Sequence, residues 1–74
     1  MQELKFNGEA MKAIRERRGM TRANVSGILG SNGTATYFER GERIPTLPTI
    51  NKIADMLGCN PIDLLTVVDV EEAA

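Results

Sequence analysis

The chain contains no histidine and no tryptophan, and Cys59 is its one cysteine. With no cysteine pair there is no disulfide, and ordinary zinc ligand sets cannot be assembled from one thiol and no imidazole. A nucleophilic role for Cys59 lacks the imidazole that would activate it, so the thiol reads as a small core residue. No apolar run approaches the ~20 residues of a membrane-spanning helix. No basic-then-apolar leader opens the sequence. There is no nucleophile–base pair and no phosphate-cradling loop. These absences leave a non-enzyme as the expectation: cytoplasmic, without catalytic residues, cofactor, metal, membrane contact or small-molecule ligand.

What is present suits one small domain. The 74 residues are 42% apolar, enough for a single core with little margin. The net charge of −1 argues against a nucleic-acid partner until position is considered. All nine bases lie within residues 1–52, which hold five acids. Residues 53–74 hold five acids and no base. Such asymmetry allows a basic face on a nearly neutral molecule.

Local signals divide the chain into short helices. Residues 1–7 read as an irregular N-terminal arm. Asn7 caps a first helix with Glu9 in its opening turn, an apolar stripe of Ala10, Met11 and Ile14, and a stop at Gly19. Arg17 and Arg18 there suit the negative end of the helix dipole. Thr21 opens a second helix over about 22–29, with Val25, Ile28 and Leu29 as its apolar set. A third runs from Asn32 or Gly33 to Arg40, capped by Ser31 or Asn32, with Ala35 and Phe38 facing inward. Thr46 opens a fourth, in which Ile50, Ile53, Ala54 and Leu57 recur at helical spacing up to Gly58. Asn60-Pro61 is a strong start signal for a fifth, with Asp63 near its free amides and Ile62, Leu64 and Leu65 closing the core. The expected division is an arm over 1–7, a helical domain over 8–65 and an acidic tail over 66–74.

The second and third segments carry the chemistry. Two short helices joined by a Gly-containing turn outline a helix-turn-helix. Arg22 precedes the turn, and Arg40 and Arg43 follow it, where such a unit meets phosphates. The third segment has a polar side of Asn32, Thr34, Thr36 and Tyr37 and an apolar back of Ala35 and Phe38. A helix in the major groove needs that division, because base edges there display distinct donor and acceptor patterns. Taken alone, Ser31-Asn32-Gly33-Thr34 is equally a polar turn and cap, and Tyr37 is either a contact or a packing residue.

The ordered set Arg15, Met20-Thr21, Val25-Ser26, Leu29, FERGERIPT (38–46) and TINKIADMLGCNPIDLL (49–65) resembles the phage repressor and Cro-type helix-turn-helix domains, the XRE family. The resemblance covers about residues 10–65. It implies a compact all-α, five-helix, lambda-repressor-like domain that binds double-stranded operator DNA as a homodimer. It implies phosphate contacts for Thr21, Arg22, Arg40 and Arg43, and a recognition helix over Ser31–Tyr37 with Asn32, Gly33, Thr34 and Tyr37 facing bases. It also implies an internal ion pair between Arg15 and Glu39. Between Met20 and Gly41 the chain is one residue shorter than the family pattern, and the gap falls in the turn. Gly33 within the reading helix brings no side chain to a base.

The function this implies is a transcriptional regulator, a repressor before an activator, since 74 residues leave no room for a sensor domain. The fifth helix and the TVVDV segment are the expected dimer contact, which keeps their acids away from DNA. The competing function is a protein-interaction or antitoxin-like module that kept the fold and binds DNA weakly.

Overall fold

A computed structural model describes residues 2–30 and 33–69. In chain order these form β1 (Gln2–Phe6), α1 (Gly8–Arg17), α2 (Arg22–Leu29), α3 (Thr34–Arg40), α4 (Leu47–Leu57), a 3₁₀ turn (Pro61–Leu64) and β2 (Leu65–Asp69). None of the described helices is long and apolar enough to cross a membrane.

Caps account for most helix boundaries. The Asn7 side chain accepts from the Ala10 amide at 3.1 Å. Thr21 and Asn24 form a reciprocal capping box at the start of α2, and Asn60 and Asp63 form another before the 3₁₀ turn. Thr46 precedes α4 without a side-chain cap bond. Its hydroxyl lies 3.2 Å from that of Thr49.

The core gathers Met11 and Ile14 of α1, Val25 of α2, Ala35 and Phe38 of α3, Ile50, Ile53, Ala54 and Leu57 of α4, and Leu64. Phe6, Met20, Leu29, Met56, Cys59 and Leu65 pack around it as half-buried residues. Two residues assigned to the core from the sequence lie outside it: Ile28 is 50% exposed and Ile62 is 62% exposed. In each case the helical face that meets the core is filled by neighbours, Val25 and Ser26 in α2 and Leu64 in the turn.

Three expectations need correction. The all-α, five-helix architecture is instead, among the described residues, a mostly helical domain of four α-helices, a single 3₁₀ turn and a two-stranded sheet. The N-terminal arm is strand β1, paired antiparallel with β2 from Gln2–Asp69 to Phe6–Leu65. The first part of the expected tail belongs to that sheet, while residues 70–74 lie outside the described residues. The physical reason is shared. Glu3-Leu4-Lys5-Phe6 alternates polar and apolar, and Thr66, Val67 and Val68 are β-branched. Each stretch is too short to hold an extended form alone, and each finds its partner far along the chain, from Gln2 with Asp69 to Phe6 with Leu65. Asn7 ties the sheet to α1: its amide donates to the Leu64 carbonyl at 2.7 Å, and its side-chain nitrogen donates to the Thr66 hydroxyl at 2.7 Å.

Candidate nucleic-acid interface

Helix α3 is held by its inner face. Phe38 packs edge-to-face on Phe6, with ring centroids 6.2 Å apart, and Ala35 is fully buried. At its far end α3 lies so close to α1 that a Cβ on Gly8 would stand 2.4 Å from the Phe38 carbonyl oxygen and 2.6 Å from that of Glu39. Only a residue without a side chain permits that approach.

The Glu39 carboxylate is the electrostatic centre of the unit. Its side chain is 2% exposed. It accepts from Arg15 Nε at 2.6 Å and from Arg15 Nη2 at 3.3 Å. It also accepts from Arg22 Nε at 3.2 Å. Arg15 in turn donates to the Met20 carbonyl at 2.7 Å. Hydrogen bonding to Glu39 raises the Arg15 pKa above its ordinary value, so this guanidinium stays charged. One buried acid thereby binds α1, the start of α2 and the end of α3 together. Buried charges persist only when paired and hydrogen-bonded in this way.

The turn between α2 and α3 begins and ends on left-handed glycines, Gly30 at φ 80° and Gly33 at φ 75°. A Cβ at either would be strained. Helix α3 starts at Thr34, so the expected start at Asn32 or Gly33 is moved later. Its N-cap is Gly33, which has no side chain to cap with. The missing bond comes from across the unit: the buried Ser26 hydroxyl of α2 accepts from the Ala35 amide at 3.0 Å. Sequence reading missed Ser26. The available signal was a hydroxyl beside Val25 on the buried face of α2, where a polar group needs a partner.

The sequence-derived site residues separate into three groups. Thr36, Tyr37 and Arg40 form the outward flank of α3, Thr36 partly exposed and the other two exposed. Arg43 stands with them, its guanidinium 5.1 Å from the Tyr37 ring centroid, a cation–π geometry. Thr21 and Arg22 are exposed at the start of α2. Gly33 is exposed at the turn. The second group is Thr34, which is corrected from a base-facing position to a buried one. It is 8% exposed, and its Oγ1 finds no hydrogen-bond partner among the described residues. As the first residue of α3 it lies one position from Ala35 on the inner side, so the helix turns it inward. The third group, Ser31 and Asn32, lies outside the described residues.

Charge on the outward flank is mostly uncompensated. Arg40 approaches Glu42 no closer than 3.9 Å, and both side chains are more than half exposed; such a contact is weak in water. Arg18 is engaged elsewhere, donating to the Gly58 carbonyl at 3.2 Å. The surface offers Arg22, Arg40 and Arg43 around the C-terminal end of α3 and the Tyr37 ring beside them. This set can grip sugar–phosphate and present a few side chains to base edges.

Comparison with known proteins agrees with this geometry. A family model described as helix-turn-helix matches residues 11–64, from the first buried residue of α1 to the last of the 3₁₀ turn. No curated protein and no solved structure matches the chain.

Proposed function

The chain belongs to the XRE-type helix-turn-helix family of DNA-binding domains, and on that premise we propose that it is a sequence-specific transcriptional regulator, a repressor, that reads operator DNA with α3 in the major groove. The carrying observation is the division of α3 into a buried flank (Thr34, Ala35, Phe38, Glu39) and an outward one (Thr36, Tyr37, Arg40). The buried flank makes the helix rigid relative to the domain. The outward flank is then free to enter a groove wide enough for one helix.

The roles follow from side-chain chemistry. Arg40, Arg43 and Arg22, with the Thr21 hydroxyl, contact phosphates and set register. Thr36 and Tyr37 lie against the bases, where a threonine methyl suits a thymine methyl and a tyrosine hydroxyl bonds a base or phosphate. From the sequence, Asn32 is assigned to an adenine, which asparagine can bond in two places. No arginine or glutamine stands in α3 before its last residue, Arg40. Phosphate contacts and DNA shape therefore supply much of the selectivity. A homodimer on a two-fold site gives the specific affinity of roughly 10⁻⁸ to 10⁻¹¹ M typical of such complexes.

The test is selection of duplex DNA from a random pool by the purified protein, repeated with Tyr37→Ala and Asn32→Ala. A changed base preference assigns a reading role; a uniform loss of affinity assigns a positioning role. A second titration in salt separates this function from a protein-interaction module. Binding through several phosphates weakens steeply, with a log–log slope of about 0.9 per contact. Failure to enrich any sequence, with binding indifferent to salt, would overturn the regulator reading.

A further inference from the structure

Two strands alone make a marginal sheet, and Gln2–Lys5 of β1 are exposed along their length. The phase of the ladder shows what that edge offers. The Asn7 amide bonds the Leu64 carbonyl, one position beyond the Phe6–Leu65 pair. In antiparallel strands, pairs that exchange both hydrogen bonds alternate with pairs that exchange none. Counting from Asn7–Leu64, the bonded pairs are Lys5–Thr66 and Glu3–Val68. Gln2 and Leu4 therefore direct their N–H and C=O groups away from β2, along the open edge. The side chain of Leu4 lies opposite Val67, and the two are 58% and 55% exposed.

The segment Glu3-Leu4-Lys5 has a symmetry that this edge can use. In an antiparallel pair of β1 strands about a two-fold axis at Leu4, the two leucines exchange both outward hydrogen bonds. Each Glu3 then faces Lys5 of the other copy in the non-bonded pairs, where side chains approach most closely. The exposed row becomes Val67–Leu4–Leu4–Val67 across four strands. Centring the axis on Glu3 or Lys5 sets a charged residue against its own copy, a like-charge pair that is destabilising. The β2 edge has no such match, because an axis at Val67 sets Leu65 against Asp69. We propose that the β1 edge is a homodimer contact, occupied by β1 of a second copy in this register. The contact lies on the strand edge, away from the expected fifth helix. It rests on the regulator reading for its use, since a two-fold dimer fits a two-fold operator.

Charge exchange tests the register with the full chain. Sedimentation equilibrium of the wild type should show a dimer. Glu3→Lys alone and Lys5→Glu alone each set two like pairs face to face and should raise the dimer dissociation constant by at least about tenfold. An equimolar mixture of these two variants restores every opposite pair and should regain association as a heterodimer. Leu4→Pro removes the outward N–H, leaves the β1–β2 bonds in place, and should give a monomer with an unchanged far-ultraviolet spectrum. A wild type that is monomeric up to ~1 mM, where even small interfaces associate, would overturn the proposal. Single exchanges that associate like the wild type, or a mixture without rescue, would do the same. Binding of the variants to a half-site duplex keeps the two readings apart. Rescue by mixing without any DNA binding would leave the dimer standing and remove the regulator.

Discussion

Helix α3 and the β1–β2 sheet are opposite in how they use their polar groups. Among the described residues the inner side of α3 is tied into the domain, Glu39 by two arginines and the Ala35 amide by Ser26. The sheet engages one edge of β1 and leaves the other, with Leu4 and Val67 on its exposed face. A reading helix must be rigid, because a displaced side chain loses its base. A contact surface instead keeps unsatisfied backbone and apolar area for a partner. The two proposals, DNA for the first region and a second copy for the second, rest on this contrast.

The largest expected effect tests the rigidity of α3. Glu39→Ala leaves the buried Arg15 guanidinium unpaired and frees Arg22; the loss expected is about 3–5 kcal/mol in urea denaturation. A loss below about 0.5 kcal/mol would show that α3 does not depend on this acid. Next is Gly8→Ala. Its Cβ meets two backbone carbonyls of α3, so α1 and α3 must separate, at a cost of about 1–3 kcal/mol. Thermal melting of the variant checks it, and an unchanged midpoint would mean that the close approach is not needed.

Ser26→Ala is smaller, about 1 kcal/mol, the usual worth of a helix cap. Because the lost bond orders the start of α3, DNA affinity should fall with it, and hydrogen exchange at the Ala35 amide should quicken. Thr34→Val is smallest in stability, neutral or slightly stabilising, since it removes a buried hydroxyl without a partner among the described residues. It should leave DNA preference unchanged; a shift in the preferred base would return Thr34 to the reading surface. On the sheet, Val67→Thr should change stability by less than about 0.5 kcal/mol while weakening self-association, which would separate the two regions by measurement.

The parts of the fold legible beforehand are those with local causes. Asn7 with Ala10, Thr21 with Asn24 and Asn60 with Asp63 are bonds across three residues, readable from spacing alone. The apolar spacing of Ile50, Ile53, Ala54 and Leu57 places α4 in the same way. The candidate site was legible as a cluster of residue types around one helix. Which of them turn outward was not: Thr34 and Thr36 are alike in chemistry and two positions apart, and only packing on α2 sends one in and the other partly out. Arg22 shares Glu39 with Arg15, a contact that depends on the crossing of three helices.

Residue order alone determined the caps of the first two helices and the span of the fourth, that bases gather in the first fifty-two positions, and that one helix has a polar and an apolar side. These follow from capping bonds, dihedral preferences and periodicity, all of short range. Tertiary structure alone decided that residues 2–6 and 65–69 pair as strands, that Ser26 accepts from the first turn of α3, and which of the described side chains remain in water. Each of those depends on groups distant in the chain being brought within hydrogen-bonding or van der Waals distance, where one contact excludes its alternatives.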